Sequence, residues 1–281
     1  MILQDWNSSH FHCSLFPVTF ATMRVAGMPM PVPTLSMDKR GPIAYLTLRR
    51  PEAQNAIDGA LLGELSRACE AIEADDDVRA VVLAAEGEHF CLGWDAALLD
   101  GEGGGVPADP FGCLAELPRP VVCAVQGDTL SAGLELALAC DIRLAAEDAH
   151  LGLPETKLGR VPMGGGSQRL ARLVGRGKAL EMILTGEPAE AREALRIGLV
   201  SAVAPTDKLA AEAEAIAGRI AERGPIAVRY AKEAINHGLE MPLEQALRYE
   251  TDLTIILQTT KDRAEGVRAF LEKRTPKFKG R

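Results

Sequence analysis

Apolar and polar positions alternate along this chain in a way that sorts it into strands and helices. Residues 43–48 (Ile-Ala-Tyr-Leu-Thr-Leu) predict a strand that ends at Arg49-Arg50-Pro51-Glu52. Asp58 is placed to cap a helix whose apolar stripe, Leu62, Leu65, Cys69 and Ile72, recurs at helical spacing. That helix runs out in the acidic cluster Asp75-Asp76-Asp77. Residues 79–84 and 120–125 are apolar runs that predict buried strands, with 140–145 another, 150–155 a short extended piece and 199–204 a later strand. Between them the pattern changes to helix formers at 96–99, after 132, and after the glycine run Gly164-Gly165-Gly166. From Gly175 onward helices are predicted near 176–186, 189–197, 206–223, 225–237, 242–258 and 262–272. Strands alternating with helices give an α/β chain with parallel pairing.

The punctuation divides the chain three ways. Residues 1–33, with Pro17, Pro29, Pro31 and Pro33 and no clear period, read as a flexible extension. Residues 34–224 carry the strands, and a composition shift at Gly224-Pro225 opens a helical region over 225–281. Gly101 to Gly105, with Pro107 and Pro110 beyond, is a surface loop by composition.

Charge narrows the function. Lys and Arg number 31 against 39 Asp and Glu, so the net charge of −8 argues against nucleic acid as a partner. Aromatic residues at 4% leave little for base stacking. Cys13, Cys69, Cys91, Cys113, Cys123 and Cys140 form no Cys-x-x-Cys pair and sit mostly in apolar runs, which fits reduced thiols in a cytoplasmic protein. His10, His12, His89, His150 and His237 give no metal pattern, so no metal is expected. No run of 18 apolar residues is present, so no membrane association is expected either.

Candidate chemistry centres on residues 127–136, Gly-Asp-Thr-Leu-Ser-Ala-Gly-Leu-Glu-Leu. A buried strand leads through a turn into Ser131-Ala132-Gly133 and then a helix. The first N–H groups of a helix lack partners and sit at its positive end, so small side chains there let an anion or a developing oxyanion approach. The same small residues also fit close packing, and the residues alone leave both readings open. Glu135 follows within one turn. A second glycine-to-helix transition, Leu92-Gly93-Trp94-Asp95, offers another N–H at Trp94. Gly164-Gly165-Gly166 before a helix fits phosphate cradling weakly, since it lacks a P-loop Lys-Ser/Thr, and fits close packing better.

Segments in one order along the chain resemble the enoyl-CoA hydratase/isomerase (crotonase) family, over roughly residues 37–281. They are Arg50-Pro51-Glu52-Ala53-Gln54-Asn55-Ala56, Phe90-Cys91-Leu92-Gly93-Trp94-Asp95, residues 127–137 with Cys140-Asp141-Ile142, and residues 153–159. Residues 164–170, Leu184-Thr185-Gly186, Glu265-Gly266 and residues 270–274 complete the set. The resemblance implies a crotonase-like spiral of ββα units, a C-terminal helical region for trimerisation, and a homotrimer or a dimer of trimers. It implies an acyl-CoA thioester substrate whose carbonyl oxygen meets the backbone N–H groups of Trp94 and Ala132. Glu135 and Glu155 stand at the positions of the two hydratase glutamates, which favours addition of water to an enoyl-CoA to give a 3-hydroxyacyl-CoA.

Substrate contacts are implied at Ala53, Gln54, Asp95, Ala96, Gly133, Pro154 and Lys273, with Arg49, Arg50 and Lys273 as candidate cations for the CoA phosphates. No cofactor is expected, since coenzyme A is part of the substrate. Three residues depart from the family pattern: Ser131-Ala132-Gly133 replaces a triple glycine, Leu92 replaces a small alanine, and Trp94 is large. Trp94 is therefore expected to shape the acyl pocket. The alternatives are an isomerase, dehydratase or hydrolase on another acyl-CoA, or a non-catalytic acyl-CoA-binding paralogue.

Overall fold

The first strand hides behind its own polarity. In the computed structural model, which describes residues 33–99 and 106–281, β1 (Leu35–Arg40) buries Leu35 and exposes Asp38, Lys39 and Arg40. It pairs antiparallel with β2 (Ile43–Leu48) as the edge of a sheet, and polar side chains are what an edge tolerates. The predicted N-terminal extension, apart from Pro33, and the predicted Gly101–Gly105 loop lie outside the described residues.

A 3-10 turn at Pro51–Ala53 leads to α1 (Gly59–Ala74), where the Asp58 carboxylate accepts from the Leu61 N–H at 2.8 Å, as the sequence predicts. The buried stripe of α1 is Leu61, Leu65, Ala68, Cys69 and Ile72. Leu61 therefore takes the place expected of Leu62, which is half-buried; both are leucines and the helix phase decides between them. β3 (Ala80–Ala85) follows, then two short helices, α2 (Ala96–Leu99) and α3 (Gly112–Ala115). The chain continues through β4 (Val121–Val125), β5 (Asp128–Leu130), α4 (Ala132–Leu138), β6 (Ile142–Ala146) and β7 (His150–Gly152).

Beyond Gly152 the extended piece expected to reach residue 155 is cut short. Pro154 opens a 3-10 turn, Pro154–Leu158, because a fixed φ and a missing N–H suit a first helical position, and Gly159 ends it at φ 67°. Helices then dominate: α5 (Gly166–Val174), α6 (Arg176–Thr185), the short β8 (Ala189–Glu190), α7 (Ala191–Arg196), β9 (Ala202–Ala204) and α8 (Leu209–Ala221). The last helices are α9 (Pro225–Gly238), α10 (Leu243–Gln258) and α11 (Lys261–Leu271).

The main sheet runs β1-β2-β3-β4-β6-β9 and is parallel after its first pair. Every residue of β4 is buried, because helices cover both faces, as parallel sheets require. Ala213, Ala217 and Ala221 of α8 lie on one face against Val82, Val122 and Leu144. The α1 stripe and most of α4 belong to the cluster on the other. A second, small sheet orders β5-β7-β8, with β5 and β7 parallel. At the C-terminal end the buried Asp262 carboxylate accepts from the Lys279 and Gly280 N–H groups at 2.7 Å each, folding the tail back on α11. Among the described residues no helix is long and apolar enough to cross a membrane.

Candidate active site

Two bends of the backbone meet beside the small sheet. The segment 90–94 runs next to β5: Phe90 N–H donates to Gln126, Leu130 N–H donates to Cys91, and Cys91 bridges Thr129 in parallel register. On its other side Ile57 N–H donates to the Gly93 carbonyl at 2.8 Å, and Asp95 N–H donates to Ile57 at 2.9 Å. All peptides described are trans, so the Trp94 N–H points opposite the Gly93 carbonyl, away from Ile57.

Ser131 makes the second bend. Its φ of 52° with ψ of −125° is a conformation L residues rarely adopt, held by its N–H bond to Gly152 at 2.9 Å. That bend starts α4 abruptly, so the N–H of Ala132, at the first helical position, has no partner within the helix. The two bends press together: a Cβ on Gly93 (φ 133°) would lie 3.0 Å from the Ser131 Cβ. A Cβ on Gly133 would lie 2.2 Å from the Cys91 carbonyl oxygen. The missing side chain of Gly133 is thus filled by Cys91, and the packing reading of the small residues holds at that position.

The carboxylates come from neighbouring elements. Glu135 lies one turn into α4 and is fully buried. Glu155 sits at the start of the 3-10 turn after β7, with 6% of its surface exposed. Because β5 and β7 pair with Leu130 opposite Gly152, the two turns leave the same end of the small sheet. The Glu135 Oε1 accepts from the backbone N–H groups of Gly164 (2.7 Å) and Gly166 (3.0 Å). The glycine run does cradle an anion, and that anion is the protein's own carboxylate. Its Oε2, and both oxygens of Glu155, are buried without a hydrogen-bond partner among the described residues. Buried polar atoms are rarely left so, and three carboxylate oxygens together mark a site built for something polar.

Burial pushes the Glu135 carboxyl up to about 7, and the nearby Glu155 adds to this; the Gly166 and Gly164 N–H groups and the Trp94 indole pull the other way. The unfolded carboxyl loses its proton near 4.5 and the folded one near 7, so the folded state binds more protons between these values. Stability contributed at low pH is lost as pH rises through that window, by about 3 kcal/mol. Urea unfolding at pH 5 and pH 7.5 should therefore show a steeper loss in the parent than in Glu135→Gln. Equal slopes would contradict the buried-acid assignment.

The remaining predicted contacts divide. Ala53 closes the first 3-10 turn, and Gln54 (φ 54°) accepts from the Leu92 N–H through its carbonyl, tying 53–55 to the Trp94 segment. Asn55, fully buried, fixes this corner through Arg50 N–H, the Glu86 carbonyl and the His89 carbonyl. Ala96 opens α2 and is exposed, and Pro154 opens the turn that carries Glu155. Asp95 follows Trp94 but is engaged by Arg50 (3.2 Å) and the Ala97 N–H (3.1 Å). Arg50 also pairs with Asp58 at 2.5 Å, and Arg49 with Glu86 at 3.0 Å, so both candidate cations already hold carboxylates. Lys273 lies in the exposed turn after α11, and among the described residues no bond ties that turn to the segments around Glu135. Sequence reasoning missed Phe111, fully buried, whose ring stacks on Trp94 with centroids 5.7 Å apart.

Comparison with known proteins shows the family. The family model described as enoyl-CoA hydratase/isomerase matches residues 38–281. The chain belongs to the enoyl-CoA hydratase/isomerase family. YngF of Bacillus subtilis, which carries that family name, is 45% identical over 261 residues, covering 85% of this chain and 95% of its own. The 2,3-dehydroadipyl-CoA hydratase of Escherichia coli is 39% identical over 256 residues, with 88% and 99% covered. Among solved structures, the enoyl-CoA hydratase of Bacillus anthracis superposes with a TM-score of 0.85 at 41% identity, covering 88% of this chain and 100% of that one. The fold is the crotonase fold, α/β with a helical C-terminal region.

Proposed function

We propose that this protein is an enoyl-CoA hydratase, adding water across the α,β-double bond of an enoyl-CoA thioester to give a 3-hydroxyacyl-CoA. The observation that carries the reading is the buried pair Glu135 and Glu155, with three carboxylate oxygens unpartnered beside the seam of Trp94 and Ala132. In this reading the thioester oxygen accepts from the Trp94 and Ala132 N–H groups. Water gives a proton to one carboxylate as its oxygen bonds to the β-carbon, and the double-bond electrons move onto the thioester oxygen. A carboxyl proton then goes to the α-carbon as the thioester carbonyl re-forms. The reaction needs the pair to hold one proton between them near neutral pH, which a Glu135 carboxyl pushed up to about 7 supports.

The test is hydration of crotonyl-CoA by the purified protein, followed by loss of the enoyl-thioester absorbance and by the 3-hydroxyacyl product. Turnover supports the reading. No hydration, with conversion of a 3-enoyl-CoA to its 2-enoyl isomer, would replace it with the isomerase alternative.

The same reading includes self-association. Leu239 and Leu243, Leu247 and Ile255 of α10, and Phe270 and Leu271 at the end of α11 are all more than half exposed, large apolar side chains of the kind that association covers. Other copies of the chain are proposed to cover it, as a trimer or a dimer of trimers. Light scattering at micromolar concentration should give about three or six times the 30.0 kDa chain mass; a stable monomer would contradict the assembly.

A further inference from the structure

Arg169 of α5 folds back over the glycine run that holds Glu135. Its Nη1 donates to the Gly164 carbonyl at 3.0 Å. Its Nη2 donates to both Asp109 carboxylate oxygens, at 3.1 and 2.9 Å. A Cβ on Gly165 (φ 93°) would lie 2.3 Å from that Nη1, so the guanidinium rests against the middle glycine. The Gly165 carbonyl in turn accepts from the Arg169 backbone N–H at 2.8 Å. At the other end, Asp109 stands two residues before Phe111, whose buried ring backs Trp94.

We propose that Arg169, anchored by Asp109, is a positioning residue for the Glu135 carboxylate, acting through the Gly164–Gly166 loop and never touching substrate. The inference rests on the hydratase reading for what Glu135 does, and on the bonds above for how it is held. A planar fork that grips a carbonyl on one side and a carboxylate on the other fixes the orientation of the loop. Gly164 and Gly166 have no side chains to limit their motion. Without the clamp, the two N–H groups that meet Oε1 would lose their alignment. The glycines are needed for the approach, since a Cβ at either would lie 2.7–2.8 Å from a Glu135 oxygen. They therefore require an external restraint.

The groups around Glu135 define the expected titration. Glu155, in the turn after β7, is near enough to raise the Glu135 carboxyl, and the Trp94 indole, in the 90–94 segment, near enough to lower it. Arg169 stands behind Gly164. Arg143 of β6 is spent on the Ala137 and Cys140 carbonyls at the far end of α4 and on the Leu199 carbonyl. On β5, Asp128 sits at the distant end with His89 and His150. N–H donation favours the charged carboxylate, so releasing the loop should raise the pH at which Glu135 ionises.

The test compares Arg169→Met, Asp109→Asn and a control, Arg172→Met, which removes an exposed cation of the same helix that pairs with Glu240. The Glu135 carboxyl is titrated by infrared difference spectroscopy, its band assigned by loss in Glu135→Gln, and crotonyl-CoA hydration is measured across pH. Arg169→Met should move the Glu135 titration up by about half to one pH unit, with kcat lowered several-fold and KM little changed. Asp109→Asn should move it upward by less. This second sign is decisive, because removing a negative charge near a carboxylate by field alone would move it downward. Arg172→Met should leave it in place. An unmoved titration in Arg169→Met, or an unmoved or downward one in Asp109→Asn, whatever their melting temperatures, overturns the proposal. A titration that shifts as expected in a protein that hydrates nothing would sink the hydratase reading and leave the clamp standing.

Discussion

Glu155→Gln is expected to fold and to hydrate crotonyl-CoA about 10²–10⁴-fold more slowly than the parent, with Glu135→Gln in the same range. The substitution keeps the shape of the side chain and removes its ability to exchange a proton. Position 155 offers nothing to compensate, because among the described residues neither carboxylate oxygen has a hydrogen-bond partner. The two residues are also not independent. The charge of Glu155 helps to push the Glu135 carboxyl up, so neutralising 155 should let Glu135 ionise at a lower pH. The pH–rate profile of Glu155→Gln should therefore shift as well as fall. Stopped assays of both variants across pH decide the matter: full activity in either one removes the two-carboxylate mechanism.

Gly133→Ala is expected to be destabilised by about 1–3 kcal/mol and to lose much of its activity, although alanine is the better helix former. The added Cβ would lie 2.2 Å from the Cys91 oxygen, 2.8 Å from the Cys91 Cβ and 2.9 Å from the Cys91 carbonyl carbon. Most of that contact is backbone, which cannot swing aside, so the start of α4 must move off the 90–94 segment. The amides of Trp94 and Ala132 would then part. If they share an oxyanion, misplacing one donor costs about 3 kcal/mol of barrier, or roughly a hundredfold in rate. Gly218 in α8 gives the opposite sign, since a Cβ there meets nothing within 4 Å. Gly218→Ala should gain up to about 1 kcal/mol. Urea midpoints and kcat/KM of the two variants, side by side, test whether packing or helix propensity governs residue 133. A Gly133→Ala protein as stable and active as the parent would show that the seam is slack.

Long elements with a clear period were legible from residues alone, as α1 and β4 show. Their apolar positions are set by one dominant burial direction, or by burial on both faces. β1 escaped because a sheet edge needs only one buried side chain, and Leu35 followed by Ser-Met-Asp-Lys-Arg carries no alternation. β5, three residues long, is too short to have a period, and β7 was legible only as the start of a longer extended piece. The site was legible in part. Glu135 declared itself as a carboxylate in the first turn of a helix after small residues, while Glu155 stood out through the family resemblance. The cradle was beyond reach, because its anion is a side chain 29 residues before the glycine that binds it. The Arg169–Asp109 pair, 60 residues apart, likewise depends on the tertiary fold. Arg50 shows the converse: a candidate for phosphate by charge, it is occupied by Asp58 and Asp95 once the chain folds.

The small sheet has a further meaning for how such a site can change. Its parallel rungs, Asp128 with His150, Thr129 with Leu151 and Leu130 with Gly152, act as a ruler from which both acidic side chains are measured. Loops elsewhere can lengthen or shorten freely without touching that measure. A single residue inserted within either three-residue strand would turn its following turn to the opposite face. The loops are thus free to change length, while the register of β5 and β7 fixes the count of residues from each rung to its glutamate.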